Sequence, residues 1–397
     1  MPYGSGAYAV LDLIAALQFV QAHGASFGGD PTNVTIWGLS TGAQLVGHLM
    51  ICPLAKGLFH RAVLQSCVDL INVRELSSAS MAAYSAKVWQ GRSAEEWGVA
   101  LGEELGCAAG ANQLEAMRAL SAEEIVKQSW TTAAMDCYEP CVDRRPAVGR
   151  VAKPMGSLEA LRTGAFHRVP VMLGVTEHDG LGKCELEWLM FRDTTSADEL
   201  DALLNDFLGA MDAADCLGLY PIREANQPRA STPAEVERAL DEISNDMWYH
   251  ASTWVMANEL VMAPRPPPVF LYRLTVPGYT GHGEDTPLWN GILPKADLVA
   301  NPAERITQLA THAACTEQVM GCLCALARAG DPSVPSLPSW PAHTADSALY
   351  MELGEGELST ARAETRQLDG RELARCHFWR QQLERMLHPP PRPASGQ

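Results

Sequence analysis

"NVTIWGLSTGAQLVGHLM", residues 33–50, contains Gly38-Leu39-Ser40-Thr41-Gly42, a Gly-x-Ser-x-Gly pattern. With 32 glycines in 397 residues, three fixed letters can match by chance, and they match again at Gly24-Ala25-Ser26-Phe27-Gly28. Context separates the two. A nucleophilic serine of this kind sits on a strained turn between a strand and a helix, which lifts its hydroxyl above the sheet. The flanking glycines let the helix pass close to the strand. Val34–Trp37 is a β-branched and aromatic run that reads as a short buried strand. After Ser40, Leu45, Leu49 and Met50 follow at helical spacing. Ser26 has different surroundings. Val10, Leu13, Ile14, Leu17 and Val20 recur every three or four residues before it, so a helix is predicted there, with Gly24 as its C-terminal stop. Ser40 is the candidate nucleophile, and "GASFG" a helix exit.

Working outward, further strands are predicted at Arg61–Gln65, Val169–Val175, Val269–Leu274 and Leu349–Leu353. Helical stretches such as Ala94–Leu105 and Ala234–Leu260 lie between them. Apolar strands alternating with helices predict an α/β fold with a parallel sheet covered on both faces.

A serine is a weak nucleophile at its own pKa. It needs an imidazole to take its proton and a carboxylate to hold that imidazole in the right tautomer. On such a sheet the chain order is serine, acid, histidine, each on a loop after a later strand. After "VPVMLGV" comes Thr176-Glu177-His178-Asp179-Gly180, and after "VFLYRL" comes a loop with His282 between Gly281 and Gly283. Ser40, Asp179 and His282 satisfy the order. Glu177 is a rival acid and His178 a rival base. His48, His60 and His167 lie in or beside predicted core elements and read as structural.

Composition excludes other classes. The net charge of −17, with no basic patch, argues against nucleic acid and against an anionic membrane surface. No run of 18 uninterrupted apolar residues predicts a transmembrane segment. The eleven cysteines are an odd number without paired metal-ligand spacing, so neither a complete intramolecular disulfide framework nor a metal site is expected. No cofactor is implied.

With these residues in place, the sequence resembles the type-B carboxylesterase family, which includes cholinesterases and fungal lipases. "FGGDPTNVTIWGLSTGAQLVGHLM" is similar to the family's F-G-G-D-P-x-x-V-T-[IL]-x-G-x-S-x-G signature, and "KGLFHRAVLQSC" to its K-G-L-F-x-[RK]-A-[IV]-x-Q-S-G. "VPVMLGVTEHDG" resembles the acid segment and "GYTGHGEDTP" the histidine segment, while "LARAGDP" (326–332), "SWP" and "HFW" extend the likeness from about Gly6 to about Leu383. The resemblance implies an α/β-hydrolase fold and a carboxylic ester hydrolase that works through an acyl-enzyme. It implies Ser40, Asp179 and His282 as the triad, a small-molecule ester as substrate, and the backbone N–H of Thr41 as an oxyanion-hole donor.

Several positions depart from the pattern. Leu39 stands where the family usually has glutamate, Thr41 where it has alanine, and His178 where an acidic residue precedes the triad acid. Cys107 matches the first cysteine of a family disulfide, but Met117 stands where its partner would fall, so that bridge is not expected. In the family a long segment precedes F-G-G-D-P. It carries the first four strands and a Gly-Gly-rich loop with two of three oxyanion donors. Here one predicted helix precedes Phe27, and neither His-Gly-Gly nor Gly-Gly-Gly occurs. Losing one such donor costs about 10²–10³ in turnover, roughly 3–4 kcal/mol.

The expectation is therefore a partial α/β-hydrolase domain over 1–387 lacking the first strands, followed by a disordered Pro-rich tail at 388–397. Val34–Trp37 would then be an open, apolar sheet edge, which invites self-association. A longer natural protein is the expected reason. A short form that pairs its edge with a partner and a decayed remnant are the alternatives. The competing function is an inactive fragment, or a binding or adhesion module of the same fold. "MPYGSGAYAV" lacks the charged and apolar regions of a secretory signal. Localisation is thus cytoplasmic for the sequence as written and secreted if a longer N-terminus exists.

Overall fold

A computed structural model describes residues 6–68, 93–131, 140–143, 152–180, 194–221, 232–292, 302–345, 348–355 and 361–387. The tail at 388–397 lies outside the described residues. Six strands form one sheet in the order β1 (Thr35–Leu39), β2 (Arg61–Gln65), β3 (Val171–Thr176), β4 (Val269–Leu274), β5 (Leu349–Glu355) and β6 (Ala361–Gln367). The first five run parallel and β6 is antiparallel to β5.

Alternation along each central strand explains why both faces are covered. Ala62 and Leu64, Val171 and Leu173, and Val269 and Leu271 point into one apolar core. Val63, Met172, Phe270, Tyr272 and Leu274 point into a second. Successive side chains on a strand face opposite ways, so a continuous apolar run needs helices above and below. The first core is closed mainly by α1 (Tyr8–His23), α2 (Thr41–Ile51), α4 (Pro233–Ser244), α5 (Ala251–Met262) and α8 (Gly370–Leu387). The second is closed by α6 (Thr286–Trp289) and α7 (Pro302–Ala329). The peripheral helix α3 (Ala94–Glu104) starts on a capping box, in which Ser93 and Glu96 satisfy each other's backbone N–H groups.

Five differences from the sequence reading have local causes. Gly24 caps the first helix after His23, as the sequence predicts, but its φ and ψ of −52° and −40° are right-handed rather than the left-handed angles of a glycine stop. The chain tightens into a 3₁₀ turn over Gly24–Phe27, and the left-handed exit falls at Gly28, φ 80°. The strand before Ser40 begins at Thr35, because the Val34 N–H is capped by His60 Nδ1 at 3.0 Å. The third strand begins at Val171, since Pro170 has no N–H to give the ladder. The long helical stretch over 234–260 is α4 and α5 joined by a π-helical turn, Asn245–His250. β6, "ARAETRQ", carries no apolar run. It is an edge strand whose Arg366 pairs across to Glu352 on β5 at 3.4 Å.

β1 pairs with β2 alone among the described strands, and Trp37 on it is exposed. Among the described residues one stretch, Tyr8–Phe27, is long and apolar enough to cross a membrane, with mean hydropathy 1.2. It comprises α1 and the turn after it, and Val10, Ile14 and Leu17 from it are packed into the core.

Candidate active site

The turn between β1 and α2 places Ser40. Its φ of 55° and ψ of −121° lie outside the regions favoured by L-residues, so the surrounding structure must hold it there. Two bonds do so: Ser40 N–H donates to the Gln65 carbonyl of β2, and Gln44 N–H donates to the Ser40 carbonyl, both at 2.9 Å. The two glycines of the motif are not equivalent. A Cβ on Gly38 would stand 2.3 Å from the backbone carbonyl carbon and oxygen of Gly42, whereas one on Gly42 would meet nothing within 4 Å. Gly38 is where the strand and helix backbones touch.

The acid loop leaves β3. Asp179 is fully buried, while Glu177 and His178 are exposed. Asp179 Oδ1 accepts from His282 Nδ1 at 2.7 Å. Its Oδ2 accepts from Ser66 Oγ at 2.6 Å and from the Thr176 N–H at 3.0 Å. The loop is pinned from behind by Asn245, whose Oδ1 accepts from Gly180 N–H at 2.9 Å and whose Nδ2 donates to the Glu177 carbonyl at 3.3 Å. A side chain on Gly180 would collide with Asn245, since its Cβ would lie 2.9 Å from that backbone nitrogen.

The histidine loop leaves β4. The parallel pairing of β3 and β4 continues past the strand ends. Glu177 N–H donates to the Leu274 carbonyl at 2.9 Å and His178 N–H to the Thr280 carbonyl at 2.8 Å, closing an isolated bridge between His178 and Gly281. So His178 ties the two loops together by its backbone, and the imidazole that meets Asp179 is that of His282.

His282 Nε2 lies 2.8 Å from Ser40 Oγ. A carboxylate on Nδ1 assigns the ring proton to that nitrogen and leaves Nε2 free to accept from the serine hydroxyl. The Tyr249 ring, from the π-helical turn, lies against the imidazole with centroids 4.8 Å apart. The helix α2 starts at Thr41, whose N–H has no partner within the helix and points the positive end of the helix dipole toward the serine.

The structure thus brings Ser40, Asp179, His282 and Thr41 to one edge of the sheet, at the C-terminal ends of the parallel strands. It keeps Glu177 and His178 out of hydrogen-bond reach of Ser40. The other histidines are engaged in packing. His60 accepts from Val34 N–H, and His167 Nε2 bonds the Cys52 carbonyl at 2.7 Å, with burial pushing its proton affinity down. Cys107 is a free, buried thiol. Among the described residues no three His, Cys, Asp or Glu side chains gather as a metal site.

Sequence reasoning did not single out Ser66, Tyr249 or Asp285. Ser66 has φ 52°, a second strained serine at the end of β2. Its place in the "QSC" segment was the available signal. Asp285 is buried beside the triad with its carboxyl pushed up to about 7, first by burial and then by the charge of Asp179.

Known proteins resemble this chain in sequence and in fold. A model of the Carboxylesterase family matches residues 3–379. Para-nitrobenzyl esterase of Bacillus subtilis (strain 168) is 25% identical over 342 residues, covering 84% of this chain and 61% of that protein. Carboxylesterase 3B of Mus musculus is 25% identical over 400 residues, covering 95% of this chain and 62% of its own length. The chain therefore spans about three fifths of the length of these relatives. Among solved structures, a PNB esterase superposes with a TM-score of 0.62 at 22% identity, over 90% of this chain and 66% of that one, and shares its fold. The mostly parallel sheet, the strained serine turn and this likeness make the fold an α/β-hydrolase. The chain belongs to the carboxylesterase family.

Proposed function

We propose that this chain hydrolyses carboxylic esters, with Ser40 as nucleophile, His282 as base and Asp179 as the acid that orients it. The observation that carries the reading is the continuous line of hydrogen bonds from Ser40 Oγ through His282 to Asp179, joining side chains 242 and 103 residues apart in sequence. Ser40 Oγ attacks the ester carbonyl carbon as its proton passes to His282 Nε2. The negative oxygen faces the Thr41 N–H. As the tetrahedral intermediate collapses, the alkoxide leaves with the proton from His282 and the acyl group stays on Ser40. Water then repeats the sequence, and the carboxylic acid departs. Asp179 neither gives nor receives a proton in these steps; its two other donors, Ser66 and the Thr176 N–H, hold it in place against His282.

A second reading, a binding module of the same fold, is left by the departures from the family pattern at Leu39, Thr41 and His178 around the candidate site. Hydrolysis of p-nitrophenyl acetate and butyrate separates the two readings. Turnover above the buffer rate that disappears in Ser40→Ala supports the esterase. A folded chain without Ser40-dependent turnover supports the module.

A further inference from the structure

The π-helical turn Asn245–His250 stands behind the acid loop and beside the imidazole of His282. In an α-helix, side chains five residues apart point about 140° away from each other. A π turn closes on bonds between residues five apart and brings such a pair closer to one face. Here Asn245 Nδ2 lies 3.3 Å from His250 Nε2, so the two side chains meet. The same spacing recurs in the Ser252 hydroxyl, which donates to the Met247 carbonyl at 2.7 Å. The turn is itself anchored. Asp246 Oδ2 accepts from the Tyr220 hydroxyl at 2.8 Å and from Arg375 of α8 at 3.5 Å.

Three backbone groups of the acid loop end on this pair. His250 Nε2 donates to the Thr176 carbonyl at 2.8 Å. Burial first, and then the charge of Arg273, push the His250 ring down to about 3, so it is neutral at pH 7. Asn245 holds the other two groups. Its Nδ2 donates to the Glu177 carbonyl at 3.3 Å and its Oδ1 accepts from the Gly180 N–H at 2.9 Å. Glu177 and Gly180 stand on either side of Asp179 in the chain, so one side chain brackets the triad acid. The two partners require one donor and one acceptor on a short side chain. An asparagine amide has both, whereas a carboxylate has no donor to give the Glu177 carbonyl. The same turn reaches the base. The Tyr249 ring lies 4.8 Å from the His282 ring, centroid to centroid.

We propose that Asn245 is a positioning residue for the ester hydrolysis proposed above: its amide clamps the backbone on both sides of Asp179 and so fixes the carboxylate against His282 Nδ1, while Tyr249 from the same π-helical turn backs the imidazole. The inference rests on the assignment of Asp179 and His282 as acid and base. Asn245 takes no part in proton transfer and acts through the loop. What it protects is the 2.7 Å bond from His282 Nδ1 to Asp179 Oδ1, which sets the tautomer that leaves Nε2 free for Ser40.

The test pairs kinetics with the state of the His282 ring, read by ¹H–¹⁵N correlation spectroscopy on the full chain labelled at histidine and assigned with His282→Gln. In the unsubstituted chain the neutral ring carries its proton on Nδ1. Asn245→Ala removes both arms of the clamp. It moves part of that population to the Nε2–H tautomer, and kcat on p-nitrophenyl acetate falls about 10- to 100-fold with KM little changed. A fall in kcat with an unmoved ring overturns the proposal, because the effect then does not pass through Asp179. An unchanged kcat in an active chain overturns it as well. If circular dichroism shows Asn245→Ala unfolded, Asn245→Asp takes its place. It keeps the shape and the acceptor for Gly180 but loses the donor to Glu177, so both readouts move in the same direction, and no movement overturns the proposal. The ring is read without any ester. An inactive chain whose ring responds to Asn245→Ala refutes the esterase reading alone, and an active chain whose ring does not respond refutes this one alone.

Discussion

Gly38→Ala tests the geometry of the serine turn most severely. The added Cβ would stand 2.3 Å from the Gly42 carbonyl carbon and oxygen and 2.7 Å from the Ala43 nitrogen. All three are backbone atoms, so no side chain can swing away. An ordinary carbon contact starts at about 3.4 Å, so α2 must retreat from β1 by about 1 Å. That displacement is large beside the 2.8 Å between Ser40 Oγ and His282 Nε2. A misplacement of about 1 Å costs about 10²-fold in rate, and overpacking at a backbone crossing costs about 1–3 kcal/mol in stability. Gly42→Ala is the matched control, because its Cβ meets nothing within 4 Å. In a helix that change is worth up to about 1 kcal/mol in the favourable direction. The assay is kcat/KM on p-nitrophenyl acetate for both variants, with urea unfolding followed by circular dichroism. The expected result is a loss of about 10²-fold or more in Gly38→Ala at reduced stability, and near-normal values for Gly42→Ala. Equal activities would refute the close crossing of strand and helix as the reason for the glycine.

Three further outcomes are expected. Ser66→Ala removes one of three donors to Asp179 and lowers kcat/KM by about 10- to 100-fold, with KM little changed, since a hydrogen bond to a charged group is worth about 1.5–3 kcal/mol; steady-state kinetics checks it. Asp285 is raised in the folded chain from an ordinary 3.8 to about 7, so the folded state holds its proton more tightly, and its contribution, full below 3.8, is lost as pH rises to 7. At about 1.4 kcal/mol per pH unit the loss approaches about 4 kcal/mol, and urea midpoints at pH 4 and pH 8.5 should show Asp285→Asn gaining on the unsubstituted chain as pH rises. Tyr220→Phe deprives buried Asp246 of a donor at 2.8 Å and the Trp379 indole of its acceptor at 2.8 Å, loosening α8 from the π-helical turn at a cost of about 1–3 kcal/mol in a urea melt.

The parts of the site that were legible in the sequence are those whose chemistry is written into local pattern. Ser40 stands out because a β-branched strand, a Gly-x-Ser-x-Gly turn and a helix must follow one another. Asp179 and His282 stand out because each closes an apolar strand. What was not legible is what only the folded sheet brings together. Ser66 reaches Asp179 across 113 residues. Tyr249 reaches His282 from a helical run whose extra π turn leaves no mark in apolar spacing. Asp285 looks like one more acid in an acidic loop until its burial is known. The strand β6 escaped for the opposite reason. Glu364 is part-buried and Thr365, Arg366 and Gln367 are exposed, so polar residues stand there in place of the apolar run that marks β2, β3 and β4. The left-handed turn at Gly28, beyond the helix cap at Gly24, depended on backbone angles that either glycine could adopt.

The central claim is that Ser40 is an activated nucleophile, and covalent labelling tests it without reference to any particular ester. The full chain is treated with a fluorophosphonate and its peptides are mapped by mass spectrometry. The account predicts one adduct per chain, on the peptide that carries Ser40, lost in Ser40→Ala and strongly slowed in His282→Gln. A folded chain that takes no label, or that labels equally well without His282, would contradict it.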